Sequence, residues 1–183
     1  LNILGCLAGP MMFLSVVWGV YGIGEQIEAK SGRVELADTG EKDTGFLIEI
    51  GGTDATDVWD VTAFNTSLVR FAKIKAPKEL SREQVAFIRL FVTKADSAVR
   101  KLDGYEDYID LDALIDWFIL HELSWNLDSS FRRSCYLVKD AGGKLQMGPP
   151  WDFDLAFGNF FRDGWSCEGW ACLYTTDDYV GDN

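Results

Sequence analysis

A single-domain α+β fold is predicted by three observations: strand-type apolar runs fill the first half, two helical periods fill the middle, and a tight hairpin leads into a glycine- and aromatic-rich stretch. At 183 residues, 48% hydrophobic and 14% aromatic, the chain is long and apolar enough to bury one sizeable core.

The elements follow in order. Leu1 to Gly24 carries no charge. Its length suits a membrane span and its Met and Leu content a leader segment. Five glycines, Pro10 and the run from Val16 to Ile23 favour short buried strands instead, and a strand over Trp18 to Ile23 is the reading taken. Contact with a membrane stays open for residues 1–24 only. A charged stretch through Glu25 and Lys30 reaches a turn at Ser31-Gly32, and Phe46 to Ile50 is the next strand, stopped by Gly51-Gly52. An irregular segment holding Asp54, Asp57 and Asp60 precedes a strand from Val69 to Ile74, which Pro77 closes.

Ser81 and Gln84 form a capping box, and Ile88, Phe91, Val92, Ala95, Val99 and Leu102 follow at helical spacing. This predicts an amphipathic helix ending near Gly104. Asp110 caps a second helix to about Glu122, in which Leu111, Leu114, Ile115, Trp117, Phe118, Ile119, Leu120 and Leu123 leave almost no polar face. Such a helix is expected to be central and buried. A polar loop over Ser124 to Ser134 leads to a hairpin: strand Cys135 to Val138, turn Asp140 to Gly143, return strand Lys144 to Met147, stop at Gly148-Pro149-Pro150. Trp151-Asp152-Phe153-Asp154 comes next, and an acidic tail follows from Thr175.

Charge excludes one class of function. At a net charge of -12 the chain lacks the Lys and Arg excess that neutralises a nucleic-acid backbone. A nucleotide enzyme is compatible with this charge if a divalent cation brings phosphates to the carboxylates. Cys6, Cys135, Cys167, Cys172 and the single His121 lack paired zinc spacings; Cys167 and Cys172 suit either a disulfide or buried thiols. His121 lies on the apolar helix and is expected to be a core residue.

The second half has a particular order: apolar helix, polar loop with an Asp, hairpin, then Asp-Phe-Asp. Protein kinases share it, with a catalytic-loop Asp that positions the substrate hydroxyl and a second Asp after a hairpin that holds Mg²⁺ on ATP. Asp128 fits the first role and Asp152 the second. On topology alone both also fit ordinary turn residues. Arg132 and Arg133, beside Asp128, suit a clamp on phosphate or an acidic substrate, or simply surface pairing. Lys73 and Lys75, on the strand before Pro77, are the candidates to reach phosphate, or else are strand-edge lysines.

The residues themselves add a resemblance. Gly19-Val20-Tyr21-Gly22-Ile23-Gly24-Glu25-Gln26-Ile27, with Lys30 and Gly32-Arg33-Val34, resembles the first signature of the CotH (spore coat protein H) kinase family. Tyr136 to Asp140, Gly143 to Pro149 and Trp151 to Asn159 resemble its second, and Asn126 and Asp128 stand where that family has Asn-x-Asp. The likeness spans about Trp18 to Asn159. It implies a divergent protein-kinase-like fold, mainly the helical C-lobe with part of the N-terminal β-region, in an N-terminally incomplete member. Residues 1–17 would form an apolar N-terminal segment, 18–159 the family-like core and 160–183 an acidic aromatic tail. It also implies a secreted or surface-associated enzyme that uses ATP with Mg²⁺, or Mn²⁺ in its place, to phosphorylate Ser or Thr of coat, surface or secretory proteins. By the same likeness Asp128 is the catalytic-loop Asp, Asp152 the metal Asp, and Glu25 a partner of a phosphate-binding Lys, a place Glu28 fits as well.

Two departures qualify this. Arg133 stands where protein kinases place a second metal ligand, Asn, and no Asn occurs from Leu127 to Gly158. Asp154 is the substitute oxygen, or the cap of the following turn. No glycine-rich phosphate loop is visible, so weak ATP binding is expected of the chain as it stands. The alternatives to an active kinase are a pseudokinase or truncated fragment, and a non-enzymatic surface adhesion domain.

Overall fold

Around the apolar run Phe46–Ile50 (β1) the chain builds an antiparallel sheet. Its other strands are Val58–Val61 (β2), Arg70–Ala76 (β3), Cys135–Lys139 (β4) and Gln146–Met147 (β5). Two α-helices, Arg82–Lys101 (α1) and Leu111–Ser124 (α2), separate β3 from β4, with a short 3₁₀ turn at Tyr105–Asp107 between them. The computed structural model describes residues 26–50, 58–61, 70–127, 134–159 and 169–171. The order across the sheet is β2-β3-β1-β4-β5. The hairpin foreseen near the end of the chain therefore extends the sheet that the first half begins.

β1 is buried on both faces, which is why its sequence is nearly all apolar. One face carries Phe46, Ile48, Ile50, Ala72, Cys135 and Leu137, packed against Ile88, Val92 and Ala95 of α1. That is the main core. The opposite face carries Leu47, Glu49 and Tyr136, since Leu47 pairs with Val138 and Glu49 with Tyr136. Glu49 and Tyr136 make this second face the more polar of the two.

α1 starts as its sequence dictates. Ser81 Oγ accepts from the backbone N–H of Gln84 at 3.1 Å, and Gln84 Oε1 accepts from the N–H of Ser81 at 2.8 Å. At α2, Asp110 accepts from the N–H of Ala113 with one oxygen and from Gln146 Nε2 with the other, at 3.2 and 3.0 Å. The cap thus also ties the start of α2 to the hairpin.

One lysine is built into the main core. Lys139 has a fully buried side chain, and its ammonium lies 2.5 Å from Asp43 Oδ1, 3.0 Å from the Asp140 carbonyl and 4.9 Å from the Phe91 ring centre. An ion pair and ring faces replace the lost water.

Three expectations need correction. α2 is not buried: His121 and Ser124 are its only buried residues, while Ile115, Ile119 and Leu123 are 53%, 48% and 79% exposed. A helix apolar all round shows that it needs cover, not which element supplies it. The irregular segment contains a strand, β2, hidden in the sequence because Asp60 interrupts its apolar run. The strand placed at Val69 to Ile74 runs over Arg70–Ala76. Among the described residues no helix is long and apolar enough to cross a membrane. The segment Leu1 to Gly24, the strand over Trp18 to Ile23, Cys6, Cys167, Cys172 and the tail from Thr175 lie outside the described residues.

Candidate functional site

The second face of the sheet is roofed by the segment 26–38, leaving a cleft of about 1040 Å³ between them. Lys30, Leu47, Lys75, Tyr136 and Trp151 are among its walls. A smaller hollow of about 300 Å³ continues past Trp151 toward Ile27, Val34, Pro149 and Pro150. The roof turns back at Ser31-Gly32, where Gly32 adopts φ +74°, a conformation glycine reaches at no steric cost.

Lys75 owes its place to an irregularity. β3 pairs with β1 through Leu47–Ala76 and Ile48–Ile74, so Lys75 is the extra residue of a β-bulge. A bulge re-aims a side chain. The Lys75 ammonium bonds Glu49 Oε2 at 2.7 Å, and Tyr136 Oη donates to Glu49 Oε1 at 3.4 Å. Glu49 is thus bridged between a cation and a phenol, one on each oxygen. Burial first, then the negative charge and hydrogen bond of Glu49 and the charge of Asp152, push the Tyr136 phenol up to about 12. At neutral pH it is a donor.

Asp152 follows the wall residue Trp151. Its backbone is left-handed, φ +66°, a strained conformation that Asp tolerates better than most residues. Two contacts hold it there, and a third fastens the turn that follows. Ser134 Oγ donates to Asp152 Oδ2 at 2.9 Å, Asn126 Nδ2 donates to its carbonyl at 3.2 Å, and the N–H of Phe157 bonds the Ser124 carbonyl at 2.6 Å. The Asp-Phe-Asp turn is therefore docked on the C-terminal end of α2.

His121 completes that docking. Its ring stacks on Phe153 at 5.0 Å with planes 10° apart, and Trp117 packs on it at 4.3 Å. It is 5% exposed, neither ring nitrogen has a hydrogen-bond partner among the described residues, and burial lowers its pKa to about 4. A neutral ring with no proton to trade is a packing element, as its place on α2 suggested.

The sequence-based candidates divide as follows. Lys75 reaches the cleft and Asp152 adjoins it through Tyr136 and Trp151. Lys73 is half-buried on the same strand, opposite Glu49 in register. Asp154 is exposed, with only its carbonyl engaged, by Asn159 Nδ2 at 2.6 Å. Asp128, Arg132, Arg133 and Glu25 lie outside the described residues. Glu28, the alternative to Glu25, pairs with Lys30 at 2.5 Å in the roof. Among the described residues no three metal-ligating side chains cluster. Glu49, Tyr136, Ser134 and Asn126 were not foreseen in these roles, although a Glu inside Phe-Leu-Ile-Glu-Ile is the kind of anomaly that signals one.

These donors suit a particular cation. Mg²⁺ keeps most of its waters and is held by one or two carboxylates together with substrate phosphates, so Asp152 with a bound polyphosphate fits it where a carboxylate cage would be needed for a free ion.

The family model described as CotH kinase protein matches residues 12–178. No curated protein and no solved structure matches the chain.

Proposed function

Since the chain belongs to the CotH kinase family, we propose that it transfers the terminal phosphoryl group of metal-bound ATP to a Ser or Thr hydroxyl of a coat, surface or secretory protein. The observation that supports this reading is a cleft lined by Lys75 and Tyr136, both bonded to Glu49, with Asp152 directly following the wall residue Trp151.

In this reading each residue has a separate task. Lys75, aimed by Glu49, binds phosphate oxygens and offsets a chain of net charge -12. Asp152, with Asp154 as second candidate oxygen, holds the metal, which when bound neutralises charge on the phosphates. Asp128 orients the substrate hydroxyl, and Arg132 and Arg133 contact transferring phosphate or the substrate. The protein's part is positioning and electrostatics, since phosphoryl transfer asks little covalent chemistry of it.

The roles separate experimentally. An anchor acts in ground and transition states alike, whereas a residue that orients the nucleophile acts mainly in transfer. Asp152→Ala is expected to abolish Mg²⁺-dependent ATP binding; Asp128→Ala is expected to retain binding and lose transfer of labelled phosphate by at least about 100-fold. Equal loss of binding in both would overturn the assignment. ATP binding without any transfer by the unaltered chain would make it a pseudokinase.

A further inference from the structure

We propose that Tyr136 is a positioning residue for the phosphate-binding cation: by donating to one oxygen of Glu49 it shares the carboxylate's charge and leaves the Lys75 ammonium turned toward the cleft. This inference rests on the reading of the cleft as a metal–nucleotide site.

The geometry carries it. Glu49 Oε1 faces the phenol at 3.4 Å and Oε2 faces the ammonium at 2.7 Å, so the two donors fix the carboxylate from both sides. Tyr136 itself cannot swing its backbone, because the N–H of Gly148 bonds its carbonyl at 2.7 Å and a Cβ at Gly148 would come within 2.6 Å of Tyr136 Cβ. Tyr136 lines the cleft together with Lys75, and the negative charge of Asp152 acts on its phenol. It also stays protonated at neutral pH, so its role is donation and not proton exchange. Without this donor Glu49 keeps Lys75 as its one partner among the described residues, and the ammonium is drawn toward the strand.

An acyl-phosphate derivative of ATP reads this directly. The neutral Lys75 amine attacks its acyl carbon, an amide N–C bond forms, the C–O bond to phosphate breaks, ATP leaves and the amine proton passes to water. Peptide mass spectrometry then reports acylation at Lys75 separately from Lys30, Lys73 and Lys78. With Mg²⁺ present, Tyr136→Phe is expected to slow acylation at Lys75 by about 3- to 10-fold, as loss of a long hydrogen bond to a charged group implies. The loss should appear in the reagent concentration needed for half-maximal rate, while the melting temperature is kept. Restricting the comparison to folded protein, Glu49→Gln together with Tyr136→Phe is expected to have no larger effect on rate than Glu49→Gln alone, because both act through one carboxylate. Unchanged rate and half-saturating concentration in Tyr136→Phe, or additive effects in the pair, overturn the inference while leaving the nucleotide site intact. Absence of Mg²⁺-dependent acylation at Lys75 in the unaltered chain overturns the site and the inference together.

Discussion

Two buried ionisable side chains, His121 and Lys139, show opposite ways of meeting the cost of leaving water. His121 is kept neutral between Trp117 and Phe153, its pKa near 4 against 6.5 for a free imidazole. The unfolded chain therefore binds a proton that the folded chain refuses as pH falls from 6.5 toward 4. Stability from this group is complete above pH 6.5 and is lost across that window, by at most about 3 kcal/mol. Denaturation of His121→Phe should show a shallower decline between pH 7 and 4 than the unaltered protein; parallel curves would contradict the assignment. Lys139 instead pairs with Asp43. Removing the anion alone leaves an ammonium in the core, so Asp43→Ala is expected to cost about 3 kcal/mol or more, and Lys139→Met, which removes the charge itself, clearly less. Equal losses in denaturant titrations would show that the charge is not the issue. His121 was legible as a core residue because it sits on an apolar helix. The burial of Lys139 was not, since nothing local distinguishes it from a surface lysine at the end of a strand.

At the level of elements, periodicity was a sound guide and pairing was not. The capping box at Ser81, the strand at Phe46–Ile50 and the hairpin through Cys135–Lys139 could all be read from local signals, because caps, turns and alternation are written within a few residues. That β4 lies beside β1 depends on contacts some ninety residues apart along the chain and has no local signature. The site depends on that pairing, since it sets Tyr136 against Glu49. The bulge that leaves Lys75 as the extra residue is equally invisible in sequence. Hence Asp152 and Lys75 could be nominated, while Glu49 and Tyr136 could not. Gly148 gives an element-level test. Its backbone approaches Tyr136 too closely for any Cβ, with contacts of 2.6 to 2.9 Å to the Tyr136 Cβ, carbonyl carbon and oxygen. Gly148→Ala must push β5 away from β4, and a loss of about 1 to 3 kcal/mol is expected in thermal or denaturant unfolding. A stability equal to that of the unaltered chain would mean the hairpin is looser than its geometry suggests.

For the whole molecule, the two faces of the sheet differ: one holds the core under α1, the other walls the cleft. α2 belongs to neither layer completely, docking the Asp-Phe-Asp turn with its buried edge while Ile115, Ile119 and Leu123 face outward. Exposed apolar surface of this kind drives association. Leu123→Glu with Ile119→Glu should lower the apparent mass in concentration-dependent light scattering and leave nucleotide binding unchanged; identical scattering would show that the face does not self-associate. The central claim is that Lys75 and Asp152 act on one metal-bound nucleotide, and calorimetric titration of ATP with and without Mg²⁺ tests it most directly. The expected result is binding at least about tenfold tighter with Mg²⁺, a difference that disappears in Asp152→Ala, and weaker binding in both conditions for Lys75→Met. ATP affinity that is independent of Mg²⁺ and unaltered in Asp152→Ala and Lys75→Met would contradict it.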